Sequence, residues 1–234
     1  MRLRLRLLAI CLLAGCSTAG DHHSLAESAD VKTIDGVPIQ RWLGARSALL
    51  FSKPIRNAST QPSQFALTME PGTAYALAAA VDQRGDFLTA AHCASWTSIT
   101  IVYHAKGEFI VEKPTVVWKD DAADLALIHV SRELDADLTW CDEQEIQPHS
   151  TVWAAGFDPA SGQLSCMSGE LIGVGHFSPS PNSPRYVQMN LPARPGDSGG
   201  AVIDGNGKLI GVITRGDESR HWCWAAAPTT RRSP

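Results

Sequence analysis

Pro195-Gly196-Asp197-Ser198-Gly199-Gly200 is the stretch on which the reading of this chain turns. One serine stands among three glycines, residues that accept left-handed or strained backbone angles and let a ligand come close. That geometry suits a nucleophilic hydroxyl flanked by N–H groups, those of Gly196 and Ser198, aimed at one developing oxyanion. Gly196 matters because a side chain there would crowd the carbonyl under attack.

A serine hydroxyl is a weak nucleophile at neutral pH and needs an adjacent base. Two strings upstream supply one and its support. Thr89-Ala90-Ala91-His92-Cys93 offers an imidazole, and Asp124-Leu125-Ala126-Leu127-Ile128 offers a carboxylate. His92 can take the serine proton and return it to a leaving amine. Asp124 can hold the imidazole tautomer and stabilise the imidazolium. Alone, His92 reads as a core histidine and Asp124 as a strand-edge cap; their order and flanks give them meaning. Gly-x-Ser-x-Gly also opens the nucleophile elbow of α/β-hydrolases, whose acid and histidine follow the serine. Asp217 and His221 do follow Ser198, but the remaining 36 residues are too few for that scaffold.

The three strings, in the order His, Asp, Ser, resemble the motifs of trypsin-like (chymotrypsin-fold) serine proteases, in particular compact bacterial members such as the glutamyl-endopeptidase-like and high-temperature-requirement proteases. The resemblance covers roughly Tyr75 to Pro228. It implies an all-β fold of two packed six-stranded antiparallel β-barrels, with the site in the cleft between them. It implies a catalytic triad of His92, Asp124 and Ser198, an oxyanion hole from the Gly196 and Ser198 N–H groups, and a polypeptide substrate. It implies a substrate pocket built from Pro192, Ala193, Thr214, Arg215 and Gly216, with Trp222 to Trp224 at its far wall. Pro192 stands where an aspartate would select Lys or Arg, and Ile213 and Ala193 stand where glutamyl endopeptidases carry His and Thr. A small or medium apolar residue is therefore expected before the scissile bond. Arg215 replaces the family's usual Trp beside the substrate strand. Among animal relatives the cysteine after the catalytic histidine pairs with one upstream, at a position that is Leu77 here. There, too, the aspartate before the nucleophile is held by a terminal amine released on activation. No such activation signature precedes the first barrel, so an internal group is expected to hold Asp197, with Arg194 close by.

Composition sets the surroundings. The chain has 234 residues, 44% hydrophobic and 19% charged, so a globular fold is expected rather than disorder. It lacks a basic stripe, and no nucleic-acid partner is expected. Short runs rich in β-branched and aromatic residues, broken by turns, recur from Phe65 onward, at 75–81, 87–89, 98–103, 108–112, 115–118, 125–130, 151–156, 169–175, 186–191, 201–203, 209–214 and 222–227. Ser47 to Ser52 reads as an earlier first strand.

Met1 to Arg6 is basic and Leu7 to Ala14 is a short apolar run, too short to span a bilayer. Leu13-Ala14-Gly15-Cys16 resembles the lipobox of bacterial lipoproteins, which makes Cys16 the lipidation site. Cleavage there removes Arg2, Arg4 and Arg6 from 20 basic residues and leaves 24 acidic ones, a net charge of −7. The expected organisation is a signal peptide over 1–15, a lipid-anchored tether and possible first strand over 16–64, an N-terminal barrel over 65–140 and a C-terminal barrel over 141–234. The expected location is the bacterial cell envelope, on the periplasmic face of the outer membrane, as a monomer held by lipid. Cys93, Cys141, Cys166 and Cys223 remain in the exported chain, an even number that suggests disulfides with three possible connectivities. Cys-x-x-Cys and His-Glu-x-x-His spacings are absent, so no metal and no cofactor is expected. His104, His129, His149 and His176 lack such flanks and read as structural. Two readings compete with the endopeptidase: an inactive protease-fold lipoprotein that binds a partner, and a serine esterase.

Overall fold

The computed structural model describes residues 32–57, 65–159, 162–176, 184–217 and 221–228, with the backbone alone at 6–10, 56–57 and 65–68. Cys16, residues 17–31 of the expected tether and most of the 1–15 leader lie outside the described residues.

The leading third contributes β1 (Arg6–Ile10), β2 (Thr33–Ile34), β3 (Val37–Pro38), helix α1 (Ile39–Gly44), β4 (Ser47–Phe51), β5 (Arg56–Asn57) and β6 (Phe65–Met69). The first motif follows on β7 (Tyr75–Asp82), β8 (Asp86–Ala90) and the one-turn helix α2 (Ala91–Ala94). Then come β9 (Thr100–Ala105), β10 (Glu108–Glu112), β11 (Thr115–Asp120) and β12 (Leu125–His129). The second half is β13 (Thr151–Asp158), β14 (Gln163–His176), β15 (Arg185–Asn190), β16 (Ala201–Ile203), β17 (Leu209–Asp217) and β18 (Trp222–Ala227). The backbone of β1, inside the stretch read as a leader, runs antiparallel to β6 in a three-stranded sheet with β5.

The fold is nearly all β. The second half closes into a six-stranded barrel, in the order β13-β14-β15-β18-β17-β16. The first half departs from the six-stranded expectation: it is a seven-stranded sheet, β10-β9-β4-β7-β8-β12-β11, with β10 and β11 at its two edges. Those edge strands are separated in sequence only by Lys113 and Pro114. Proline has no N–H to donate to a ladder, so it suits a break between edges rather than a further pairing.

Alternation decides which side chains meet. In β4, Ala48 and Leu50 face one core while Leu49 and Phe51 face another. The first core joins Ala76, Ala78, Phe87, Ile101, Tyr103 and Ile128 inside the first half. A second gathers Val152, Leu171, Val187, Met189, Ile210 and Ala225 inside the barrel. The other two clusters are shared. Ala79, Leu88 and Leu125 pack with Ala201, Leu209 and Val212, and Leu49, Phe51 and Leu77 pack with Ala155, Phe157 and Leu164. Burial of these faces fixes the two halves against each other.

The expected disulfides are not formed: Cys93, Cys141, Cys166 and Cys223 are all free thiols. They are spread over three apolar clusters. Cys93 belongs to the core of the first half, Cys141 and Cys223 to the barrel core, and Cys166 packs against a shared cluster. Cys141, Cys166 and Cys223 each donate to a nearby main-chain carbonyl, at 3.6, 3.8 and 3.9 Å. Burial pushes the Cys93 and Cys223 thiols up to about 12, and those of Cys141 and Cys166 to about 11. Buried thiols held neutral in this way behave as small apolar side chains.

Candidate active site

His92 is carried by α2, the turn that ends β8. The helix is held from outside, because the Ala91 N–H donates to the Asp124 carbonyl at 3.0 Å. Asp124 in turn is aimed by its own loop. The Asp120 carboxylate accepts the N–H groups of Ala122 and Ala123 at 2.9 and 3.1 Å, closing the turn at the end of β11. The backbone then swings through a left-handed residue, Asp124 itself, at φ +54°. Aspartate is one of the few residues that take this conformation readily. Its carboxylate meets His92 twice: Oδ1 accepts the His92 N–H at 2.9 Å, and Oδ2 lies 2.8 Å from Nδ1. With Nδ1 bonded to a carboxylate, Nε2 is the nitrogen left for a proton transfer. The His92 side chain is 49% exposed and that of Asp124 29%.

The serine sits on the turn after β15. Arg194-Pro195-Gly196-Asp197 is closed by the Asp197 N–H donating to the Arg194 carbonyl at 3.0 Å. Proline in second place and Gly196 at φ +104° in third are the requirements of a type II turn. The Asp197, Gly199 and Gly200 N–H groups donate to Arg194, Ile213 and Asp197 carbonyls. Among the described residues, the N–H groups of Gly196 and Ser198 make no internal hydrogen bond. Two unspent donors, with one residue between them, are what an oxyanion hole requires.

The turn is docked onto the first half. Leu77 on β7 donates its N–H to the Ser198 carbonyl at 2.7 Å, and its own carbonyl accepts the Thr89 hydroxyl at 2.7 Å. A β-carbon at Gly199 would collide with that carbonyl and with Thr89 Oγ1. Gly199, at φ +81°, is therefore glycine on two counts. Thr89 lies three residues before His92, so the serine turn and the histidine helix share one wall. His92 and Asp124 are brought into contact; no hydrogen bond joins His92 to Ser198 among the described residues. Such bonds are often long before substrate arrives.

A family model described as "Trypsin-like peptidase domain" matches residues 76–212, more than half of the chain and all three motifs. The chain belongs to the trypsin-like peptidase family. One curated relative, uncharacterized protein y4bJ of Sinorhizobium fredii (strain NBRC 101917 / NGR234), is 32% identical over 107 residues; the match covers 42% of this chain and 15% of that protein's length. Among solved structures, the active form of the Rv3671c protease from M. tuberculosis is similar in fold at 16% identity and a TM-score of 0.60, covering 91% of this chain and 90% of that one. The HtrA-type protease AlgW with decapeptide gives 20% identity and a TM-score of 0.60 over 79% of this chain and 61% of its own.

The residue before Ser198 needs a partner, because a buried carboxylate alone is costly. Asp197 is 4% exposed. Its Oδ1 accepts the Phe157 N–H at 3.1 Å, and its Oδ2 accepts the Arg194 N–H at 2.7 Å. The sequence points to Arg194; it is the main chain of Arg194 that makes this bond.

The residues read as the substrate pocket fall on two segments, the 191–194 loop and the end of β17. They lie against each other. A β-carbon at Gly216 would stand 3.3 Å from the Ala193 carbonyl oxygen and 3.6 Å from its β-carbon. The Thr214 hydroxyl reaches the Trp224 carbonyl at 3.4 Å. Arg215 is exposed and pairs with Trp224 across the ladder. Pro192 lines an open groove of about 660 Å³ together with His149, Glu170, Asn190 and His221.

Four further histidines sit by carboxylates: His129 by Asp86 at 2.8 Å, His149 by Glu170 at 2.5 Å, His176 by Glu143 at 3.0 Å and His104 by Asp135 at 3.6 Å. Sequence reasoning missed Tyr75 and Phe157. Their rings meet edge to face, with centroids 5.3 Å apart, beside the serine turn. They come from different halves of the molecule, so no motif joins them. Among the described residues, no cluster of metal-binding side chains is present.

Proposed function

We propose that this protein is an exported serine endopeptidase in which Ser198, His92 and Asp124 act as a triad. The observation that carries the reading is the two-point bonding of His92 to Asp124, set on the same wall as a serine turn with two unspent N–H donors. Ser198 Oγ attacks the scissile carbonyl carbon while His92 Nε2 takes its proton. The carbonyl oxygen gains the negative charge and receives the N–H groups of Gly196 and Ser198. Collapse of this intermediate breaks the C–N bond, and His92 protonates the leaving amine. Water then repeats the sequence on the acyl-enzyme and frees Ser198. Removing one oxyanion donor typically costs about 3 kcal/mol of transition-state stabilisation.

The near contact of Gly216 with Ala193 narrows the slot before the scissile bond. It favours a small apolar residue there, and the absence of a charge at Pro192 and Ala193 disfavours Lys, Arg or Glu. Digesting a proteome-derived peptide library checks this. Wild type is expected to cut after small side chains and Ser198→Ala not at all; cleavage by Ser198→Ala, or by wild type mainly after basic residues, contradicts it.

The proposal includes the anchor. The basic start, short apolar run and Leu13-Ala14-Gly15-Cys16 string support cleavage before Cys16 and lipidation of its thiol, which would hold the enzyme at an envelope membrane. Several acyl chains anchor firmly where one is marginal. Mass spectrometry of the mature N-terminus is expected to find an acylated Cys16; an unmodified terminus rules the anchor out.

A further inference from the structure

We propose that Tyr75, on the first half of the molecule, is a positioning residue that latches the oxyanion turn of the second half by filling the space beside Gly196. The inference rests on the serine-protease reading and deepens it.

Gly196 contributes its N–H through the Pro195–Gly196 peptide. That peptide is the middle unit of the type II turn, and type I and type II turns differ in its orientation alone. A turn with glycine in third place can adopt either, so its sequence leaves the direction of the Gly196 N–H open. In the type I alternative, Gly196 takes a negative φ and the N–H swings away from the serine. Something outside the turn must choose between the two.

Tyr75 is placed to do so. A β-carbon on Gly196 would collide with three ring atoms of Tyr75, so the ring lies directly against the glycine in its φ +104° form. The ring is itself wedged, edge to face, against Phe157. Phe157 is the residue whose N–H holds Asp197 Oδ1. One aromatic pair thus touches the turn at its third residue and supports the carboxylate at its fourth. The Tyr75 hydroxyl stands 3.5 Å from the Pro195 carbonyl oxygen, at the outer limit of a hydrogen bond. The ring therefore supplies the latch, and the hydroxyl adds little. Burial and the negative charge of Asp197 both raise the Tyr75 phenol, so it stays neutral and protonated beside that carboxylate.

Tyr75 is the first residue of β7, two residues before Leu77, whose N–H holds the Ser198 carbonyl. The same strand therefore grips the turn at both ends. The oxyanion hole is complete only when the two halves are docked.

The test uses full-length wild type, Tyr75→Leu and Tyr75→Phe with a fluorophosphonate probe. In this reaction Ser198 Oγ bonds to phosphorus, fluoride leaves and His92 takes the proton, while the phosphonyl oxygen occupies the oxyanion hole. Maximal labelling rate and half-saturating probe concentration are measured separately, with thermal unfolding alongside. Leucine keeps apolar bulk but removes the flat ring. Its maximal rate is expected to fall on the order of 10- to 100-fold, with half-saturation changed by less than about threefold. Phenylalanine is expected to recover the rate to within about threefold of wild type. Tyr75→Leu labelling at the wild-type rate overturns the latch. So do Phe and Leu variants that are equally slow, or a Tyr75→Leu chain that does not fold, since a latch leaves the fold intact. A wild type inert to the probe overturns the protease reading and the latch with it, whereas a reactive wild type beside an equally reactive Tyr75→Leu overturns the latch alone.

Discussion

Asp197 shows how much a single residue in this site depends on the main chain around it. Its carboxylate accepts the N–H groups of Phe157 and Arg194, one from β13 and one from its own turn. Hydrogen bonds to an ionised acceptor are stronger than neutral ones. Among the described residues, two main-chain N–H groups hold the carboxylate. Asp197→Ala leaves the buried Phe157 N–H without its acceptor, at a cost of about 1–3 kcal/mol, and frees the part-buried Arg194 N–H as well. Urea unfolding should register that loss, and fluorophosphonate labelling should slow, because the oxyanion turn loses its brace. Wild-type stability together with a wild-type labelling rate in this variant would contradict the assignment. The sequence indicates His92, Asp124 and Ser198 clearly, because each brings its own flanking string. It indicates Arg194 as a neighbour of Asp197 but not that the contact is an N–H, since a string of residue names says little about where the backbone points. Tyr75 carries no signal at all: what singles it out is the space beside Gly196, and that space exists only after folding.

At the scale of elements, the strands were legible and the short helix was not. Glu108–Glu112, Ala201–Ile203 and Trp222–Ala227 form over the residues that sequence marks, because β-branched and aromatic runs there end at Gly, Pro or Asp. Helix α1, by contrast, is six residues long, too short to show a repeat, and lies in the stretch expected to be a tether and possible first strand. Its meaning is tertiary. Trp42 is 8% exposed and reaches the hairpin of the second half, where a β-carbon on Gly207 would stand 2.9 Å from its ring. The Arg46 guanidinium covers the same ring at 3.8 Å, while its Nε–H donates to the Asp137 carbonyl at 2.9 Å. Gln40 on the same helix donates to the Leu164 carbonyl at 2.8 Å. The segment before the first sheet thus straps both halves. Trp42→Ala is expected to destabilise the protein by about 3–5 kcal/mol, the usual range for a deleted buried indole. Equilibrium urea unfolding measures it, and a change below about 1 kcal/mol would mean that the helix is an ornament on the fold.

For the whole molecule, the site is a product of docking. His92 and Asp124 belong to the seven-stranded first half and Ser198 to the closed barrel. Two of the four apolar clusters draw on both halves, and the serine turn is bonded across them through Leu77. The order of the motifs made a two-part plan legible in the sequence. The seventh strand and the reduced cysteines were not, since edge pairing and the burial of each thiol depend on how the faces pack. Because the turn is braced internally by Asp197 and Tyr75, the protein should act once folded, with no cleavage to expose a new terminus. The most direct test is intact mass spectrometry of the uncut chain after exposure to a fluorophosphonate. One adduct is expected, mapped to Ser198, absent in Ser198→Ala and slowed by orders of magnitude in His92→Ala and Asp124→Asn. An adduct elsewhere, or none until the chain has been cut ahead of Tyr75, would contradict the account.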